Sequence, residues 1–172
     1  MTARVTIRTL VVVALALLVQ STVMLDIRVA GVSPDVMVVL PVAAGLVAGP
    51  VEGAAVGFVA GIAADLLLPT PFGLSALVGT LVGFSVGALT GEAVRYVRGF
   101  ATLVALVASA ASVMLYAVLG AVLGEAQFLR VDLGAVIVVV SVANALLAGP
   151  SVRVARWALV PPSEHVQAAG RR

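Results

Sequence analysis

Charged residues are so sparse in this chain that they divide it into six apolar runs: Thr9 to Leu25, Val36 to Val51, Gly53 to Ala64, Leu66 to Gly91, Gly99 to Gly124 and Leu133 to Val152. At a rise of about 1.5 Å per residue, four of these runs are long enough to cross a hydrocarbon core of about 30 Å as helices. The second and third are short. Val36 to Leu68 therefore has three readings: one long helix, two short spans turning near Gly49-Pro50, or a re-entrant hairpin. A single helix would extend about 50 Å, well past the bilayer, and Pro50 between Gly49 and Gly53 interrupts it. The chain is expected to turn there. Borrowing Ser33 and Pro34 at one end and Leu66 to Leu68 at the other completes two spans and places Asp65 inside the third helix, near its far end.

The resulting expectation is an all-α bundle of six transmembrane helices at about 9–25, 34–49, 52–68, 73–91, 99–123 and 133–152. An interfacial stretch follows at 151–160, carrying Arg153, Arg156 and Trp157, and then a polar cytoplasmic tail at 161–172. Arginine placement orients the bundle, because cytoplasmic loops are enriched in Arg. With the N-terminus inside, Arg4, Arg8, Arg95, Arg98, Arg153, Arg156, Arg171 and Arg172 are cytoplasmic, and only Arg28 and Arg130 lie outside. A five-span arrangement with an external N-terminus loses only a little of this bias, and the rule does not separate a hairpin from two spans. Arg4 and Arg8 ahead of an apolar run also resemble a signal peptide, but no convincing small-x-small site follows, so the run is read as a retained span. Phe72, Tyr96, Phe100, Phe128 and Trp157 fall at expected helix ends, where aromatic rings favour the headgroup region.

Composition strengthens the membrane reading. Of 172 residues, 62% are hydrophobic and 10% are charged, against about 25% charged in ordinary soluble domains. All ten basic residues are Arg, and the net charge of +2 is too small to imply nucleic acid. The chain has no Cys, and its one His, His165, sits in the polar tail. Thiolate chemistry, disulfides and Cys-based metal sites are excluded, and metalloprotease or Ser/His hydrolase mechanisms lack an imidazole in the apolar body.

Two patterns within the spans carry information. Gly45, Gly49, Gly53, Gly57 and Gly61 recur every four residues, as do Gly79, Gly83, Gly87 and Gly91. Each series forms a groove that a neighbouring backbone can enter. Packing of the third and fourth helices against each other is the favoured use, and reception of a partner's transmembrane helix is the alternative. Asp65 lies in the apolar run Ile62 to Leu68, where an ionisable group costs about 2.5–3.5 kcal/mol at mid-helix and less near the interface. It should have a partner or a role. Asp35, Arg28 and Arg130 map to the same outer side, so a charged cluster there is expected to satisfy it. An intramembrane aspartyl protease needs two carboxyls sharing a proton and a Gly-x-Gly-Asp signature, whereas Asp65 follows Gly61-Ile-Ala-Ala. Glu52 is expected near a helix start, Glu92 beside Arg95, and Gln20 and Asn144 in modest interhelical hydrogen bonds.

The run Pro34-Asp35, then Gly57-Phe58-x-x-Gly61-x-x-x-Asp65-Leu66-Leu67, then Pro71-x-Gly73-Leu74 resembles the rod shape-determining protein MreD family. The resemblance extends over the whole chain in length and span count, with the motif in roughly Pro34 to Leu74. It implies a non-enzymatic scaffold or regulator of the bacterial cell-elongation complex in the inner membrane. The implied partner is MreC, with MreB and the RodA/penicillin-binding-protein synthase in the wider complex. The implied fold is similar to the six-helix substrate-binding subunits of energy-coupling-factor transporters. Carried over by position, Pro34 and Asp35 would begin the second span, Gly57 and Gly61 would allow close packing, and Asp65 would be the buried acid. No catalytic residue, cofactor or metal is implied. The chain departs from the family in being poor in aromatics and rich in Ala, Val and Gly.

A second reading is a substrate-binding subunit of a vitamin or other small-molecule importer, with an external pocket near Asp35 and Asp65. Such a site needs several polar groups converging on an apolar pocket. A third, a lipid-modifying enzyme, needs an acid or His constellation that Asp65 with Arg28 hardly supplies.

Overall fold

The computed structural model describes residues 3–22, 35–67, 70–90, 99–124 and 132–160, and among them the chain is all helical. The elements are α1 (Ala3–Thr22), α2 (Val39–Ala48), α3 (Pro50–Asp65), α4 (Leu74–Leu89), α5 (Phe100–Val122) and α6 (Leu133–Leu159). Each apolar run contributes one helix. The boundaries differ where charge was used to set them. α1 begins at Ala3 rather than residue 9, since Arg4 and Arg8 are good helix formers whose long side chains can leave an apolar surface while their backbone stays helical. α6 runs on through Pro150 as one helix to Leu159. Pro150 removes one backbone hydrogen bond, and the burial of Ala148 before it and of Ala158 and Leu159 beyond it holds the helix together.

The break between α2 and α3 is a single residue. Gly49 takes φ +101, a left-handed conformation that disfavours side chains, its N–H donates to Gly45 O, and Pro50 opens α3 at a position where no N–H is needed. The chain turns at Gly49-Pro50, which overturns the single long helix and agrees equally with two short spans and with a re-entrant hairpin. The turn lies against Gly87, near the C-terminal end of α4, so the α2–α3 hairpin extends as deep as α4 does.

α2 is the centre of the bundle. Eight of its ten residues are buried, from Val39 to Leu46. Leu40 and Ala44 face one apolar cluster, with Val5 and Val13 of α1, Val56 and Ala60 of α3, and Ala158 of α6. Val42 and Leu46 face a second, with Val78 and Val82 of α4, Ala105 and Ala108 of α5, and Ala148 of α6.

The outer helices invert the usual distribution of polarity. On α5, Ser109 and Ser112 are buried while Leu103, Val107, Met114 and Val118 are exposed. On α6, Ser141 and Asn144 are buried while Val138, Val142 and Leu146 are exposed. Water would penalise so much exposed apolar surface, and lipid does not. α1, α5 and α6 are each long and apolar enough to cross a membrane, and the chain is a membrane protein. α3 and α4, with sixteen residues each, extend about 24 Å, and α2 is shorter still.

Candidate functional site

The site grows from one face of α3. Residues four apart stack on a helix face, so Gly49, Gly53, Gly57, Gly61 and Asp65 form a stripe, and α4 lies antiparallel along it. A Cβ on Gly53 would run into the carbonyl of Gly83, one on Gly57 into that of Gly79, and one on Gly61 into the backbone of Ala76. The reverse holds too: a Cβ on Gly79 would lie 2.6 Å from Gly57 O, and one on Gly87 would strike the Gly49-Pro50 junction. Each turn up one helix is a turn down the other. Gly45 of α2 joins the seam, where a Cβ would lie 2.6 Å from Gly83 O. Backbones approach this closely only where the facing side chains are absent or small, and the approach gains dispersion contacts along the whole seam. The chain's own helices thus fill these grooves.

Asp65 is the next position on the stripe, and it lands on the N-terminus of α4. Its carboxylate accepts the backbone N–H of Gly73 (2.8 Å), Ser75 (3.1 Å) and Ala76 (3.4 Å), and the residue is 4% exposed. Helix N-termini have backbone donors without intrahelical partners and a positive dipole end, so a carboxylate there is satisfied without a cation. Among the described residues, main-chain donors satisfy Asp65. Arg28 and Arg130 lie outside the described residues. Gly73, at φ +96, and the Leu74 N–H bond to Pro71 O (3.1 Å) shape the turn that presents these donors.

Asp35 occupies the same end of the bundle but not the same cluster. Its Oδ1 accepts the N–H of Met37 (2.9 Å), and the adjacent Val36 N–H donates to Gln20 Oε1 of α1 (2.9 Å). Gln20 thereby ties the end of α1 to the entry of α2. Asn144, as expected, bonds between helices, its Nδ2 donating to Ser109 Oγ (2.9 Å).

Beside the seam is a cavity of about 590 Å³. It is lined by the C-terminal halves of α1, α3 and α5 and by the N-terminal halves of α2, α4 and α6, so successive helices run in opposite directions around it. Gly57, Gly61 and Gly79 form one wall, and Val113, Tyr116, Val136 and Val140 face it from α5 and α6. Asp35, Gln20, Ser75 and Ser112 also line it. Asp65 does not; its carboxylate is used by α4.

The residues singled out in the sequence therefore separate. Gly57, Gly61, Gly79, Gly83 and Gly87 meet in the seam, and Asp65, Pro71 and Gly73 form its end. Phe58, 54% exposed, points away from it, and Pro34 and Gly91 lie outside the described residues. Sequence reasoning missed Ser75, Ser112 and Tyr116, which are ordinary residues until six helices bring them to one space. It also missed Arg8, whose guanidinium donates to Trp157 O (3.2 Å) and lies 5.0 Å from the Trp157 ring centroid, joining α1 to α6 at the opposite end. No protein-family model, curated protein or solved structure matches the chain.

Proposed function

We propose that the chain is a six-span scaffold of the bacterial cell-elongation complex, placed in the inner membrane with both termini in the cytosol. It acts without enzymatic chemistry by binding MreC, and so helps to position peptidoglycan synthesis in company with MreB and the RodA/penicillin-binding-protein synthase. The observation that carries this reading is that the motif residues resembling MreD are the ones that build the α3–α4 seam. Gly57 and Gly61 set the approach, Asp65 caps α4, and Pro71 and Gly73 shape the turn between them. The motif thus describes a rigid packing unit, which suits a protein whose task is to hold a partner. Alternating helix directions and a hairpin as deep as α4 favour an even number of crossings.

Capture of MreC by the tagged wild-type protein tests the reading, and failure to recover it from a membrane extract would overturn it. Asp65→Leu should still insert yet recover less MreC; undiminished recovery would refute a role for that residue. Single cysteines placed near either terminus should resist an impermeant thiol reagent in intact cells.

The cavity favours a second reading, the importer subunit. Co-purification of an ATPase module or a bound vitamin would support it, whereas a coiled-coil, single-span periplasmic protein would support the scaffold.

A further inference from the structure

The cavity has a polarity gradient along the bundle axis. Toward the helix ends it is lined by Gln20 and Ser21 of α1, Asp35 ahead of α2, and Ser75 in the first turn of α4. One to two turns deeper the lining becomes Leu17, Pro41, Gly57, Val113 and Val140. The polar side chains at that depth are Tyr116 and Ser112, and Ser112 Oγ is already donating to Ala108 O (2.8 Å). Water is held in a cavity by two to four polar partners, so it has more support at the outer end than in the deeper part. At about 590 Å³ the space falls within the roughly 300–1,000 Å³ of small-molecule sites.

The outer end is also chemically biased. Asp35 is half-buried, and among the described residues its carboxylate accepts the backbone N–H groups of Met37 and Val38 and has no cation within ion-pair distance. An ionised carboxylate has about four acceptor positions, and partial burial leaves the rest in want of donors. Hydrogen-bond donors, and cationic ones above all, complement it; a second anion would be repelled.

We propose that this cavity is a binding site for one single-chain amphiphile, its aliphatic tail lying between the glycine wall of α3 and α4 and the valines of α5 and α6, and its amine head at Asp35. The ligand enters from the surrounding lipid, where such molecules are concentrated. The proposal is independent of the scaffold reading, since a chain that binds MreC can carry a lipid amine as well as one that does not. Loss of one property leaves the other measurable.

The test uses the full chain in phosphatidylcholine nanodiscs at neutral pH, with tritiated dodecylamine as probe and protein-free nanodiscs as baseline. Saturable binding of one dodecylamine per chain is expected, displaced by dodecanol more weakly and by dodecanoic acid at least tenfold more weakly. Asp35→Asn should weaken dodecylamine at least tenfold while changing dodecanol less than threefold, and Val113→Trp should abolish binding of all three. Both variants are first checked for wild-type helicity and monodisperse elution, and the comparison of the three head groups needs no variant. Unsaturable binding, or dodecanoic acid binding as tightly as the amine, would overturn the proposal. So would an unchanged amine affinity in a folded Asp35→Asn protein.

Discussion

Gly57, Gly61 and Gly79 belong to two regions at once. On one side they meet the backbone of the facing helix so closely that a methyl group has no room; on the other they border an open cavity of about 590 Å³. A glycine face occupies little volume in either direction, and the outcome depends on what stands opposite. α4 offers its own glycines at the same four-residue step and closes the gap. α5 and α6 offer Val113, Tyr116, Val136 and Val140, which hold their backbones away and leave space. Close packing between membrane helices therefore requires small residues on both partners, and a small stripe facing larger side chains becomes a wall of a cavity.

The contrast is broken most severely from the seam. Gly57→Leu should cost roughly 3 kcal/mol or more, because the obstacle is the Gly79 carbonyl rather than a flexible side chain; unfolding by SDS titration in mixed micelles measures it, and a loss below about 1 kcal/mol would show that the seam is not closed. Asp65→Ala should cost about 2–4 kcal/mol by leaving backbone donors of α4 without acceptors. Asp65→Asn should recover part of this, since an amide oxygen also caps helices. Amide exchange at Gly73 and Ser75 should accelerate in the alanine variant and less so in the asparagine one.

Smaller effects sharpen the comparison away from the seam. Asn144→Ala removes the bond to Ser109 between α5 and α6 and should cost about 1–1.7 kcal/mol, the upper part of the range for such bonds in membrane helices; a loss equal to that of Gly57→Leu would show that α5 and α6 depend on polar contacts as heavily as α3 and α4 depend on glycine. Gly149→Ala is the counterpart of the seam substitution. A Cβ there meets nothing within 4 Å, so the change should be neutral or stabilise α6 by up to about 1 kcal/mol through helix propensity. Destabilisation in the same SDS assay would contradict the open surroundings of that residue.

Much of the seam was legible in the residues themselves. A four-residue glycine repeat marks one helix face whatever surrounds it, and a second repeat of the same step marks its natural partner. The turn at Gly49-Pro50 was legible for a similar reason, since one residue permits left-handed φ and the next lacks an N–H. The main-chain donors of Asp65 were not legible, because an acid in an apolar run asks for compensation without saying from where. Arginines are visible in a sequence as charges; backbone N–H groups at a helix start are not, and they become available to Asp65 only once Gly57 and Gly61 have brought α4 alongside.

What the residues alone determined is local: helices rather than strands, apolar exteriors suited to lipid, the places where the chain turns, and the face of α3 that carries no side chains. These follow from periodicity and from the backbone preferences of Gly and Pro, which act over a few residues. The tertiary structure decided which neighbour each face meets. The cap on α4, the Arg8–Trp157 contact across 149 positions and the cavity formed by all six helices depend on how rigid helices are placed in space. That placement reflects the packing of every face together, and no single segment contains it.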